Sequence, residues 1–167
     1  ELERCGILID VSHLNDAGLA DVFETAKKPF LATHSNARAV CAHRRNLTDA
    51  QIVELVRRDC LIGLTYYAPF VRDGGEVRGY DDLYRHAAHF FELGAQNSLA
   101  IGSDFDGAVL PECFSSPEKA AGFYEYLLAR GVPQADADGI FFENARSFLR
   151  KNLCGGEVFL GKSGSAV

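Results

Sequence analysis

The chain has 167 residues, 47% of them hydrophobic, and a formal net charge of −6. This is about one domain with enough apolar side chain for a sizeable core, which excludes a disordered chain, and its charges form no basic block of the kind that nucleic-acid backbones select. The five cysteines, Cys5, Cys41, Cys60, Cys113 and Cys154, are odd in number and lack Cys-x-x-Cys spacing, so neither a disulfide framework nor a cysteine zinc site is expected.

A reducing compartment, the cytoplasm, is therefore the expected location. No apolar run approaches the ~20 residues of a membrane span, and no charged start followed by an apolar core marks a signal peptide. The chain opens ELERCG without an initiating Met, so a piece of something longer is expected.

Gly6 to Val11 (GILIDV) is a short apolar run rich in β-branched residues and reads as a strand, with Ser12 and His13 at its end. Asn15 caps a helix whose Leu19, Val22, Phe23 and Ala26 recur at helical spacing before Pro29 stops it. Phe30 to Thr33 is a second strand delivering His34, and a polar segment then carries Arg44 and Arg45. Thr48 opens a Thr-x-x-Gln capping box for a helix that buries Ile52, Leu55 and Val56.

Leu61 to Tyr66 is a third strand, followed by a Gly-rich loop through Asp73, Gly74, Gly75 and Gly79 that is long enough to be functional. A helix over Asp81 to Leu93 closes at Gly94, and Leu99 to Gly102 is a fourth strand, ending in Ser103, Asp104, Phe105, Asp106 and Gly107. Ser116 and Pro117 open a helix with the stripe Phe123, Tyr126 and Leu127. A last helix after Pro133 buries Ile140, Phe141, Ala145, Phe148 and Leu149, and a loose tail runs from Gly155.

Four βα units in succession imply parallel strands joined by right-handed crossovers. The polar residues His13, His34, Thr65 and Asp104 all fall at C-terminal strand ends, where parallel α/β folds place their chemistry. His13 and His34 end consecutive strands, close enough to share one metal ion; the alternative is two unrelated histidines bonded to nearby backbone. His86 and His89, at an i, i+3 spacing, read as a solvated or half-buried helix face, and His43 as a local contact.

One of Arg44 and Arg45 is expected to be solvated and the other to hold an anionic group near His34, because a guanidinium pairs with a carboxylate through two parallel hydrogen bonds. Asp10 either accepts the second N–H of a histidine or simply ends a strand. Asp104 and Asp106 read as turn formers. DFDGAV also resembles the strand-end motif of haloacid dehalogenase-like phosphatases, in which Asp104 would be the nucleophile.

Taken together, LIDVSHL, PFLATHSNARAVCAHRRNLTD, IGSDFDG and ENARSFL resemble the renal or membrane dipeptidase family, the M19 zinc metallopeptidases, in order from about Gly6 to Leu153. The resemblance implies a (β/α) barrel with two zinc ions that cleaves dipeptides, often tolerating a D-residue at the C-terminal position. It matches His13 and His34 to the two histidine ligands of one zinc, Arg45 to the residue that binds the substrate carboxylate, and Asp104 to the carboxylate that moves a proton from the metal-activated water to the leaving amine.

None of the five histidines is followed two residues later by Asp, the motif with which the family supplies its other zinc. An aromatic position that carries a Tyr hydroxyl in some relatives is Phe70, leaving carboxylate binding more dependent on Arg45. The resemblance therefore implies an α/β fold in which residues 1–153 form the C-terminal half, about four strands, of a TIM-like (β/α)8 barrel, with 154–167 as a tail. Such a half has open strand edges and a bare apolar face. The missing N-terminal half or a second copy is the expected partner, and the chain alone is expected to be inactive; a non-catalytic half-barrel scaffold is the remaining alternative.

Overall fold

The computed structural model describes residues 1–153; the expected tail at 154–167 lies outside them. Three short parallel strands, β1 (Leu31–Ala32), β2 (Leu61–Leu64) and β3 (Leu99–Ile101), form one sheet in the order β1-β2-β3. The register pairs Leu31 with Leu61, and Ile62 with both Ala32 and Leu99.

Among the described residues three strands stand where four were expected. The run from Gly6 to Val11 begins after a 3-10 turn, Leu2–Cys5, that ends at Gly6 with φ 70°. Its pairing with β1 is parallel but amounts to a single bridge, Asp10 to Leu31. The Val11 N–H donates to the Leu31 carbonyl at 2.9 Å and the Leu31 N–H to the Ile9 carbonyl at 3.0 Å. An edge segment with a neighbour on one side alone has half the ladder available to a central strand, and the pairing fades beyond those bonds.

Helices α1 (Asp16–Thr25) and α2 (Asp49–Arg57) start where local chemistry requires. Asn15 Oδ1 accepts the Gly18 N–H at 2.8 Å, and Thr48 and Gln51 form a complete capping box. Beyond β2, a short helix α3 (Ala68–Val71) interrupts the expected loop, and α4 runs from Tyr80 to Glu92. Helix α5 (Pro117–Ala129) is capped by Ser116.

The helix expected after Pro133 is not continuous: α6 (Gln134–Asp138) passes through a π-helical segment (Gly139–Glu143) into α7 (Asn144–Asn152). Asn144 Nδ2 donates to the carbonyls of Gln96 and Leu99, at 2.7 and 2.8 Å, tying the start of α7 to β3.

Adjacent residues along β2 face opposite sides of the sheet. Ile62 and Leu64 pack with Ile52 and Leu55 of α2, Leu83 and Phe90 of α4, and Phe123 and Leu127 of α5. Leu61 and Ala100 instead lie under Phe148 of α7. The face expected to be bare is thus partly covered by the chain's own last helix, and the exposed apolar side chains move outward to Leu149 and Leu153, 42% and 51% exposed. Leu149 had been expected in the core.

The strand ends are drawn tightly together. A Cβ at Gly63 or Gly102 would lie 2.0 or 1.9 Å from the Thr33 carbonyl oxygen, so only glycine permits this approach. The Gly-rich loop after β2 is anchored as well: the Asp73 carboxylate accepts the Ala42 N–H at 3.0 Å, and the Asp82 carboxylate pairs with Arg72 at 2.6 Å.

His86 was expected on a solvated or half-buried helix face and is instead wholly buried. Its Nδ1 accepts the Ala37 N–H at 3.1 Å, and its Nε2–H donates to the Val71 carbonyl at 2.8 Å, so one ring ties the loops after β1 and β2 to α4. Helical spacing does not distinguish this role, because both partners come from distant loops.

Only a neutral imidazole can accept at one nitrogen and donate at the other. Burial pushes the His86 pKa down from 6.5 to about 4. The stability this group contributes is complete above pH 6.5 and falls as the pH drops through the native value, because the unfolded chain then takes up a proton that the folded one refuses; the loss amounts to about 3 kcal/mol. Urea unfolding at pH 7.5 and 5 should show this decline. In His86→Phe it should be absent, and stability at pH 7.5 lower by about 2–4 kcal/mol, since two backbone groups lose their partner.

Candidate functional site

The parallel pairing of residues 9–11 with β1 sets His13 beside His34. Their Nε2 atoms face each other at 3.0 Å, with ring centroids 4.9 Å apart and planes at 61°. The His34 backbone N–H donates to Ser12 Oγ at 2.9 Å, and its Nδ1 lies 2.7 Å from Thr33 Oγ1. Burial lowers the His34 pKa; the negative charges of Asp104 and Asp10 oppose this, and the positive charges of His13 and Arg45 add to it.

Asp10 does not touch a histidine directly. Its carboxylate accepts the N–H groups of Ser12 and Thr33, at 3.1 and 3.0 Å, and the Thr33 hydroxyl at 2.6 Å. Partial burial raises its pKa, and these three bonds and the nearby His34 outweigh that, leaving it below the ordinary carboxylate value. Asp104 and Asp106 both adopt left-handed backbone, with φ of 69° and 63°, in keeping with their reading as turn formers. Asp104 is half-buried with its Oδ1 against Gly107, where a Cβ would come within 2.5 Å, and Asp106 is exposed.

Of the two arginines, Arg44 is exposed and Arg45 turns inward. Arg45 Nε and Nη2 donate to the Ser12 carbonyl at 3.1 and 2.8 Å, and its guanidinium carbon lies 5.5 Å from the centre of the Phe70 ring. Among the described residues no carboxylate pairs with it. His43 accepts the Arg45 backbone N–H at 3.2 Å and packs on Phe70 with centroids 4.5 Å apart. Thr65 is buried, its backbone N–H bonded to Asn36 Oδ1 at 3.1 Å.

Two residues that the sequence reading passed over hold this loop in place. Asn46 is buried and donates to the carbonyls of Cys41 and Phe70, at 2.9 and 2.8 Å, while its Oδ1 accepts the Asn36 N–H at 3.3 Å. Asn36, also buried, donates to the Thr65 and Phe70 carbonyls at 3.1 and 3.3 Å. Their one sequence signal is position: each follows a candidate residue closely, Asn36 after His34 and Asn46 after Arg45. Thr33 was equally overlooked, as a polar residue closing an apolar strand.

Two imidazole nitrogens 3.0 Å apart, with no other protein partner among the described residues, suit adjacent ligands on one metal ion, which at ~2.1 Å bond lengths and tetrahedral angles sit ~3.4 Å apart. Among the described residues no group of three or more His, Cys, Asp or Glu side chains completes such a set. The histidines also lie on an open rim. A concavity of about 440 Å³ lies at the opposite end of the strands, lined by Phe23, Lys27, Lys28, Pro29, Arg57 and Arg58 among others.

Over residues 1–152 the chain matches the family described as Membrane dipeptidase (Peptidase family M19). The chain belongs to that family. It is 33% identical over 140 residues, 81% of its length, to an uncharacterized protein in the pqqA 5′ region of Klebsiella pneumoniae, of which it covers 51%. An uncharacterized dipeptidase of Schizosaccharomyces pombe is 30% identical over 108 residues, 64% of this chain and 26% of that protein.

Among solved structures, the metallopeptidase dipeptidase AC of family M19 superposes with a TM-score of 0.87 at 30% identity, over 93% of this chain and 46% of that one. A Rhodobacter sphaeroides metallopeptidase, liganded with a phosphinate mimic of the dipeptide L-Ala-D-Ala, gives 0.86 at 30% identity over 90% and 44%. This M19 chain thus spans about half, or less, of the relatives it matches. Its α/β fold with parallel strands resembles that of the M19 dipeptidases over the part it covers.

Asn46→Ala should loosen the Arg45 loop without touching Arg45. Removing a buried amide that serves three backbone groups should lower stability by about 2–4 kcal/mol, read by urea unfolding. Amide exchange should accelerate at residues 36–46 and 65–71 rather than in β3.

Proposed function

We propose that this chain is the C-terminal half of a zinc-dependent dipeptidase barrel, in which His13 and His34 hold one metal ion, Arg45 binds the substrate's terminal carboxylate and Asp104 transfers a proton. The observation that carries the reading is the pair of facing Nε2 atoms at 3.0 Å with an inward guanidinium anchored on the same peptide unit. Support also comes from the dipeptide mimic bound by a similar metallopeptidase.

Zinc held at the histidine pair supplies Lewis acidity and lowers the pKa of water toward neutrality. The residues of this chain do the rest. Arg45 is held by the Ser12 carbonyl through Nε and Nη2 and backed by the Phe70 ring, which leaves Nη1 without a partner among the described residues for an incoming carboxylate. Because Phe70 has no hydroxyl, the guanidinium carries that recognition.

The Asp104 carboxylate accepts a proton from the attacking water and passes it to the leaving amine. The remaining ligands, and the wall that closes the open rim, come from the other half of the barrel.

The chain should bind Co(II) or Zn(II), with binding lost when His13 and His34 are both replaced by Ala; binding unaffected by that change would refute the metal assignment. In the protein with both barrel halves, a dipeptide with a free carboxylate should be hydrolysed, and a chelator should abolish the activity. Arg45→Lys should raise KM by about 10- to 100-fold, equivalent to ~1.5–3 kcal/mol of charged hydrogen bonding, with a smaller change in kcat. Absence of hydrolysis at saturating zinc would leave the scaffold role instead.

A further inference from the structure

The two oxygens of the Asp10 carboxylate are used differently. Oδ1 accepts the backbone N–H groups of Ser12 and Thr33, at 3.1 and 3.0 Å, while Oδ2 accepts the Thr33 hydroxyl at 2.6 Å. A threonine hydroxyl has one proton, and an ionised carboxylate can only accept. Of the other acceptors, Ser12 Oγ is farther away at 3.4 Å and uncharged, and giving the proton to His34 Nδ1 would leave Thr33 Oγ1 and the carboxylate oxygen facing each other at 2.6 Å with no proton between them.

With its proton directed at Asp10, Thr33 Oγ1 can only accept in its other short contact, 2.7 Å to His34 Nδ1. Nδ1 must therefore carry the imidazole proton. The lone pair is then on Nε2, which faces His13 Nε2 at 3.0 Å.

We propose that Thr33 is a positioning residue that relays the Asp10 carboxylate to His34, holding the imidazole as its Nδ1–H tautomer with the Nε2 lone pair aimed at the metal position beside His13. An unrestrained neutral histidine populates both tautomers, and only one of them offers Nε2 to a metal ion. The relay removes that choice before any metal arrives. The contribution to metal binding rests on the histidine-pair reading above; the tautomer itself does not.

Asp10→Asn gives a sharp test because the network dictates how the amide must sit. Two backbone N–H groups point at the Oδ1 position and require the amide oxygen there. The NH2 group is then placed against Thr33 Oγ1 and donates to it, so the hydroxyl proton turns toward His34 Nδ1. The relay runs backwards, in a side chain of the same shape.

Long-range 1H–15N spectra of the metal-free chain at pH 8 should show His34 protonated at Nδ1 in the wild type and in Thr33→Ser. Asp10→Asn should move the proton to Nε2, and Thr33→Val should abolish the preference. An unchanged tautomer in Asp10→Asn, or an Nε2–H wild type, would overturn the relay.

Co(II) affinity of the same chain should fall about 10- to 100-fold in Asp10→Asn and Thr33→Val and be retained in Thr33→Ser. A reversed tautomer with undiminished affinity, in a chain whose binding His34→Ala abolishes, would overturn its role toward the metal. If His13→Ala and His34→Ala both leave affinity unchanged, the histidine-pair reading fails instead, and the spectra still decide the relay.

Discussion

The arrangement of the site depends on two backbone hydrogen bonds, Val11 N–H to the Leu31 carbonyl and Leu31 N–H to the Ile9 carbonyl, which set the first edge segment parallel to β1. From that register follow the contacts of Asp10 with Thr33, of Ser12 with the His34 backbone, and of His13 with His34. A slip of one residue would turn each of these side chains to the other face of the sheet. The pairing is short, yet it aligns a carboxylate, a hydroxyl and two imidazoles within one layer of the strand ends.

Ser12 is where the separate parts of the site meet. Its N–H goes to Asp10, its hydroxyl accepts the His34 N–H, and its carbonyl takes the Arg45 guanidinium. One residue therefore sets the distance between the histidine pair and the candidate carboxylate anchor. Under the proposed function, rigid coupling of this kind would hold the two ends of a dipeptide a fixed number of bonds apart, because positional error enters directly into the barrier.

The loops that carry these groups are held by buried polar side chains rather than by sheet. Asn36, Asn46 and His86 reach between the segments after β1 and β2, and among the described residues no buried side-chain nitrogen or oxygen lacks a hydrogen-bond partner. A fully satisfied polar network inside a low-dielectric interior is stiff, since breaking any one bond strands a buried group. The residues flanking the histidines and arginines thus matter for precision more than for chemistry.

Much of this was legible in the chain itself. Apolar runs ending in His34 and Asp104, the Thr48 to Gln51 capping box and the Asn15 cap depend on neighbours within a few residues, and local chemistry sufficed to place them. The parallel order of the βα units likewise followed from the alternation of short apolar runs with helical periodicity. Tertiary structure decided what depended on distant partners: that Thr33 stands between Asp10 and His34, that Arg45 rather than Arg44 turns inward, that His86 is a core tie, and that α7 covers the sheet. The physical reason is common to all four, because a hydrogen bond or a buried contact between segments far apart in sequence has no periodicity along the chain and exists only once the strands are in register.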